Sequence, residues 1–318
     1  MARGDEVVCL VRRTSHVEHL RPLGVQFREG DVTDLESMRR AVAGMQTVYH
    51  VAGCTMTLQT ADFYRINTGG MGHVAQACAE QQQPPVLVIV SSLAAAGPAP
   101  RQTPRVESDR PVQVSEYGRS KRLGELAAQR LADSVPITIV RPPIVFGERD
   151  RVGLDMFRSV ARVGVHLIPG VARHRFSLIH AADLAQLLIL AADHGHRLPS
   201  SEYPETTVGE GTYFAACEVN PTYMELGRMI GKVLGRRRVL TLHTTTPLVW
   251  MIAAAGDLAG HLLGHPMFLN LDKAWEVTAG SWTCSPRAAV EGLGFSVAAP
   301  LESRLAQTAQ WFRQEKWL

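Results

Sequence analysis

Cysteine is sparse in this 318-residue chain, and what there is stands apart. Cys9, Cys54, Cys78, Cys217 and Cys284 are odd in number and include no CxxC pair. That argues against a disulfide framework or a cysteine zinc centre and for a reducing, cytoplasmic setting. Aromatic residues are only 6% and the formal net charge only +3. The basic, aromatic-studded face of a nucleic-acid binder is therefore missing. Metal spacing is missing too: His261 and His265 stand four apart, but HLLGH lacks the Glu of a zincin, so no metal is expected. MARGDEVVCLVRR carries no secretory pattern of charge, apolar run and small residues. Long apolar runs are limited to Thr245–Leu263, interrupted by Asp257 and loosened by Gly256 and Gly260. It reads as a buried helix or the apolar wall of a pocket. The run Arg236, Arg237, Arg238 just before it leaves open shallow contact with a membrane surface.

What is present is an ordinary globular composition, 46% hydrophobic and 20% charged, long enough for one large domain or two. Short β-branched runs alternate with polar, helix-compatible stretches. Strands are expected at Glu6–Val11, Val25–Phe27, Thr47–Val51, Val86–Val90 and Ile137–Val140. Helices are expected at Asp34–Ala43, capped by Asp34, and at Asn67–Gln82 and Tyr117–Asp133. VLVIV at Val86–Val90 is wholly apolar, as befits a strand covered on both faces. The order predicts an α/β fold, a doubly wound parallel sheet with ligands at the carboxyl ends of its strands. Residues 1–165 read as a dinucleotide-binding domain, with 176–198 packing back on it. Residues 166–318 read mainly as a smaller α/β substrate lobe, with Pro/Gly joints at Ile168–Gly170, Leu198–Pro204 and Val297–Pro300.

Chemistry concentrates in SEYGRSKRLGE, Ser115–Glu125. Tyr117 and Lys121 lie four apart and share one helix face. A phenol titrates near 10, and an ammonium one turn away is expected to lower that value, making a usable proton donor or acceptor. Upstream, the apolar strand ends in Ser91 and Ser92, whose hydroxyls could stabilise charge on a substrate oxygen. Downstream, another strand ends in Arg141, Pro142 and Pro143.

In this order and spacing these segments resemble the extended short-chain dehydrogenase/reductase superfamily, also called the NAD-dependent epimerase/dehydratase group, over essentially the whole chain. The resemblance implies a catalytic Ser92, Tyr117 and Lys121, Ser92 being preferred to Ser91 by its register to Gly97. GDVTD implies that Asp31 and Val32 meet an adenine, and VYHVAG that Val51, Ala52 and Gly53 line the cofactor. INTGG matches the family's Asn at Asn67. RPPIVFG implies that Pro142, Ile144 and Val145 lie at the nicotinamide amide. FSLIHAADLA resembles the hallmark in which Asp183 begins a helix. His50 and His180 read as strand-end caps. The helices at Asn67 and Tyr117 resemble those that pair family members into homodimers.

The chain departs from that pattern at its start. MARGDEVV matches the end of the family's first helix and its second strand. About 20–30 residues, a strand, glycine-rich turn and helix, are expected upstream; otherwise the protein is a degenerate paralogue. Without that central strand, Glu6–Val11 and Thr47–Val51 lose their common neighbour. Arg12 and Arg13 follow the first strand where an acid would select NAD. Arg12 and Arg13 would instead pair with a 2′-phosphate, which points to NADP(H), with NAD(H) as the other cofactor. The short, apolar later segments resemble the dihydroflavonol-reductase-like and 3β-hydroxysteroid-dehydrogenase-like subgroups. The expected substrate is a small hydrophobic alcohol or ketone. Two alternatives stand beside it: a nucleotide-sugar epimerase or dehydratase, and a non-catalytic cofactor sensor or scaffold.

Overall fold

β-branched runs bounded by turn residues form the strands, and polar stretches opened by a capping side chain form the helices between them. The computed structural model describes residues 3–100, 103–168, 170, 173–201 and 209–318. Of the joints read at Ile168–Gly170 and Leu198–Pro204, residues 169 and 202–204 lie outside the described residues. The first half runs β1 (Val8–Val11), β2 (Gln26–Glu29), α1 (Leu35–Val42), β3 (Thr47–His50) and α2 (Thr60–Phe63). A π-helical turn (Tyr64–Gly69) leads into α3 (Gly70–Ala79), β4 (Val86–Val90), α4 (Leu93–Ala96), α5 (Glu116–Gln129) and β5 (Ile137–Arg141). Then come β6 (Ile144–Phe146), α6 (Arg151–Val163), β7 (Val165–Ile168), β8 (Leu178–His180), α7 (Ala181–His194) and β9 (Thr212–Phe214). The chain closes with α8 (Tyr223–Val233), β10 (Leu240–His243), α9 (Thr246–Leu263), α10 (Leu271–Thr278), α11 (Arg287–Leu293) and α12 (Leu301–Gln314).

All strand pairs are parallel. The main sheet has the order β3-β4-β5-β9, so a strand from the second half closes one edge. Its apolar centre is covered on both sides, as VLVIV requires. One layer is α1 and α3, with Met38, Met71 and Val74 on Leu87, Ile89 and Ile137. The other is α7 and α11, with Leu187, Ala191 and Ala289 on Val88 and Val140. Asp34 caps α1 as read, accepting from the Glu36 amide at 3.1 Å. Asn67 falls inside the π turn, one turn ahead of α3. β1 pairs with β2 and β3 with β4; among the described residues no strand bridges β1 to β3. The β1–β2 ribbon is held by packing, with Leu10, Val32 and Leu35 leaning on the core under α1 and α3.

In the C-terminal lobe, α6, α8 and α12 enclose Phe157, Leu226, Ile230 and Phe312. Asp183, in the first turn of α7, accepts from Arg304 Nε at 2.9 Å and the Ala298 amide at 3.0 Å, tying that lobe to the sheet. Thr245–Leu263 is helical, but the reading of it as buried needs correction. α9 turns only Val249, Ala253 and Gly260 fully inward; Trp250 packs half-buried beside them, and Leu248, Met251, Ile252, Leu258, Leu262 and Leu263 face out.

Candidate active site

The carboxyl ends of β3, β4 and β5 carry the site. β4 runs out into Ser91 and Ser92, and Ser92 Oγ caps α4 by accepting from the Ala94 amide at 3.1 Å. α5 opens at Ser115, whose Oγ accepts from the Gly118 amide at 3.0 Å, placing Tyr117 in the first turn and Lys121 one turn on. Two glycines let α5 press close. A Cβ on Gly118 would lie 2.5 Å from the Ala94 carbonyl, and one on Gly124 2.6 Å from that of Asn67. That approach brings Tyr117 to Ser92.

The opening turn of α5 is held from an unexpected direction. Asp272 on α10 accepts from the amides of Glu116 at 2.6 Å and Tyr117 at 3.2 Å. Glu276 accepts from Ser115 Oγ at 2.8 Å. Asp272 satisfies orphan amides, Glu276 takes the capping hydroxyl, and both carboxylates suit the positive end of the helix. Their sequence spacing in LDKAWEVT says only that they share a helix face. The partner lies more than 150 residues away, so no local signal could have found it.

Burial dominates the electrostatics. It pushes the Tyr117 phenol up to about 12, against a hydrogen bond with Ser92 that pulls it down. It pushes Lys121 down to about 8, with Glu125 opposing. The expected lowering of the phenol by Lys121 is thus reversed in this structure. Lys121 Nζ is spent on the Val90 carbonyl at 2.9 Å, and dehydration drives both groups towards their neutral forms. Behind them, Arg141 clasps Glu125 with bonds of 2.8 and 2.7 Å, and Arg122 adds a third at 3.0 Å. Burial works to raise Glu125, but Arg141 and Arg122 hold it down to about 2. This ion pair locks α5 to β5. His50 does not cap the backbone as read: it is buried with Nε2 unpartnered, and dehydration pushes it down to about 3. His180 does cap, accepting from the Ala182 amide at 3.3 Å.

The candidate cofactor residues fall into two groups. Beside Lys121, Asn67 Oδ1 accepts from the Cys54 amide at 2.8 Å, and its Nδ2 donates to Cys54 O and Ser120 Oγ, both at 2.9 Å. A Cβ on Gly53 would come 3.1 Å from Asn67 Oδ1 and 3.3 Å from Lys121 Nζ, so a side chain there would press on both. Val51 and Ala52, just past β3, and Ile144 and Val145, just past β5, are exposed. Pro142 is buried, its carbonyl taken by the Leu93 amide at 2.8 Å. At the β1–β2 ends, Asp31 Oδ1 accepts from Thr33 N at 2.9 Å and Thr33 Oγ1 at 2.8 Å, which lowers its pKa. Arg12 is exposed beside it in a turn closed by the Ser15 amide at 2.9 Å. Val32 presents its carbonyl to His73 Nδ1 at 3.0 Å.

A nicotinamide and its ribose fit the first group: exposed backbone at Gly53, exposed apolar side chains beyond the ends of β3 and β5, and a phenol and an amine beside them. An adenosine fits the second. Between them, no glycine-rich turn opening a helix follows a strand among the described residues.

A parallel sheet with a hydroxyl, a phenol and an amine gathered at its carboxyl edge defines a Rossmann-type α/β protein. Residues 1–204 match the NAD dependent epimerase/dehydratase family, and the chain belongs to it. It is 29% identical over 311 residues to a ceramide reductase of Caulobacter vibrioides, covering 97% of this chain and 87% of that one. It is 26% identical to a 4-hydroxy-2-methyl-3-oxo-4-farnesyl-3,4-dihydroquinoline-1-oxide ketoreductase of Stigmatella aurantiaca, over 86% of this chain and 84% of that one. In fold it resembles a Thermotoga maritima UDP-glucose 4-epimerase solved with UDP-glucose, at a TM-score of 0.75 and 17% identity, over 99% of this chain and 93% of that one.

Proposed function

We propose that this protein is a nicotinamide-dependent ketoreductase for a hydrophobic, lipid-like carbonyl compound, with NADP(H) preferred. The observation that carries it is the Ser92–Tyr117 hydroxyl pair at the sheet edge, with Lys121 one turn behind. The exposed apolar Val51, Ile144 and Val145 beyond the ends of β3 and β5, and relatives named for a ceramide and a farnesyl-bearing ketone, support the substrate class.

A bound nicotinamide would supply or accept the hydride. Ser92 donates a hydrogen bond to the substrate oxygen and holds it against the phenol. Tyr117, raised to about 12, stays protonated through the neutral range and passes its proton to that oxygen as negative charge develops. Lys121, lowered to about 8, stands ready to stabilise the resulting phenolate. Gly53 and Asn67 shape the wall against which the ribose would lie, and Arg12 with Asp31 would receive the adenosine end.

Replacing Tyr117 with Phe removes the proton donor and keeps the ring. Ketone-dependent NADPH oxidation should fall by about 10²–10⁴-fold, with circular dichroism unchanged. An undiminished rate would sink the proposal. Stoichiometry separates it from an epimerase, since a reductase consumes one reduced nicotinamide per product.

A further inference from the structure

We infer that the outer face of α9, with its hairpin partner α10, is a docking surface for an anionic lipid bilayer. α9 inverts the usual amphipathic arrangement. It buries small side chains, Val249, Ala253 and Gly260, and exposes large ones, with Met251 66%, Leu258 64% and Leu262 79% accessible. The spacing of Leu248, Met251, Ala255, Leu258 and Leu262 alternates between three and four, so they form one continuous stripe. Only 17% of this 18-residue helix is buried, at a mean hydropathy of 1.2. A stripe of that kind marks an interaction site.

The elements on either side of the helix in the chain also expose apolar residues. Trp275 on α10 is exposed and meets Trp250 edge-on at 4.8 Å, the amphipathic ring type favoured at headgroup level. In the β7–β10 ribbon, Leu167 and Leu242 are paired and both exposed, while His166 and Ile168 on the opposite face are buried.

Charge identifies the occupant. β10 starts directly after Arg236–Arg238, beside a cleft of about 330 Å³ lined by Arg228, Lys232, Arg236 and Arg237. Arg236 is used on the carbonyls of Ala161 and Arg162, and Lys232 is paired with Glu302. Arg237 and Arg238 are exposed without an acidic partner among the described residues. Exposed apolar residues that follow unpaired arginines within ten residues of chain complement lipid phosphates above acyl chains. The helix lies on the bilayer and does not cross it. Asp257 sits within it, and its glycine face is seated on the protein, where a Cβ on Gly256 would lie 2.3 Å from the Leu269 carbonyl. Because Asp272 and Glu276 of the same hairpin hold the first turn of α5, docking would set Tyr117 beside the membrane surface.

Co-sedimentation with vesicles tests this without substrate or cofactor, independently of the proposed reaction. Tyr117→Phe should bind vesicles like the unmodified protein. The protein should pellet with phosphatidylcholine–phosphatidylglycerol vesicles, more weakly with phosphatidylcholine alone, and less as salt rises. Leu258→Glu with Leu262→Glu should abolish capture. Arg237→Glu with Arg238→Glu should weaken it by at least about five-fold per arginine. Both pairs are surface changes, and circular dichroism checks their folding. No capture of the unmodified protein, or capture of either variant equal to that of the unmodified protein, overturns the inference. So does a dimer in solution that the leucine variant makes monomeric while vesicle capture stays absent.

Discussion

Lys121 shows how burying an amine works against the fold. Its ordinary value is 10.5 and burial brings it to about 8. The difference corresponds to about 3 kcal/mol. Below pH 8 both folded and unfolded chains hold the proton, and the fold bears the full penalty. Between 8 and 10.5 the unfolded chain keeps a proton that the folded chain has released, so stability from this group rises with pH. Lys121→Met should therefore be inactive yet more resistant to urea at pH 7. Losing the bond to the Val90 carbonyl trims that gain by about 1 kcal/mol. Urea titrations across pH 7–10 should show the advantage shrinking as pH rises; a constant difference would mean Lys121 is not dehydrated. Arg12 lends itself to a second test at this scale. Its guanidinium stands exposed beside Asp31, so Arg12→Asp should lower the NADPH-to-NADH ratio of kcat/KM by at least about ten-fold, one charge-assisted bond being worth roughly 1.5–3 kcal/mol. An unchanged ratio would remove the NADP(H) preference.

Among elements, the contact of α4 with α5 decides whether the hydroxyl and phenol meet. Gly118 allows it, since a Cβ there would sit 2.5 Å from the Ala94 carbonyl, which is backbone and cannot swing away. Gly118→Ala gains about 1 kcal/mol of helix propensity and loses about 1–3 kcal/mol to overpacking. The balance is a net loss of up to about 2 kcal/mol, and the helices must part. We expect kcat to drop along with the denaturation midpoint. An unchanged kcat would show that the hydroxyl–phenol contact does not depend on this close approach. The buried Glu125–Arg141 pair limits how far α5 can shift, because its other end stays fastened to β5.

For the whole molecule, the two halves are interleaved. β9 closes the main sheet, α7 and α11 cover one of its faces, and Asp183 binds Arg304 of α12. All five tryptophans, Trp250, Trp275, Trp282, Trp311 and Trp317, lie in the second half. Tryptophan fluorescence therefore reports that half, and far-ultraviolet circular dichroism reports the whole chain. Interleaving predicts coincident urea midpoints from the two probes. Separated midpoints would mean the lobes unfold independently.

The sequence by itself determined the alternation of strand and helix, because VLVIV can be stable only between two covering layers and Asp34 can only begin a helix where it stands. It also put Tyr117 and Lys121 on one face, since four residues make about one turn. The tertiary structure decided what local spacing cannot express. It set the direction of the pKa shifts, because dehydration depends on what surrounds a group. It recruited Asp272 and Glu276 to the start of α5 from the far end of the chain. It also turned the apolar side of α9 outward: hydrophobicity says that a surface must be covered, and only packing shows whether the protein itself covers it.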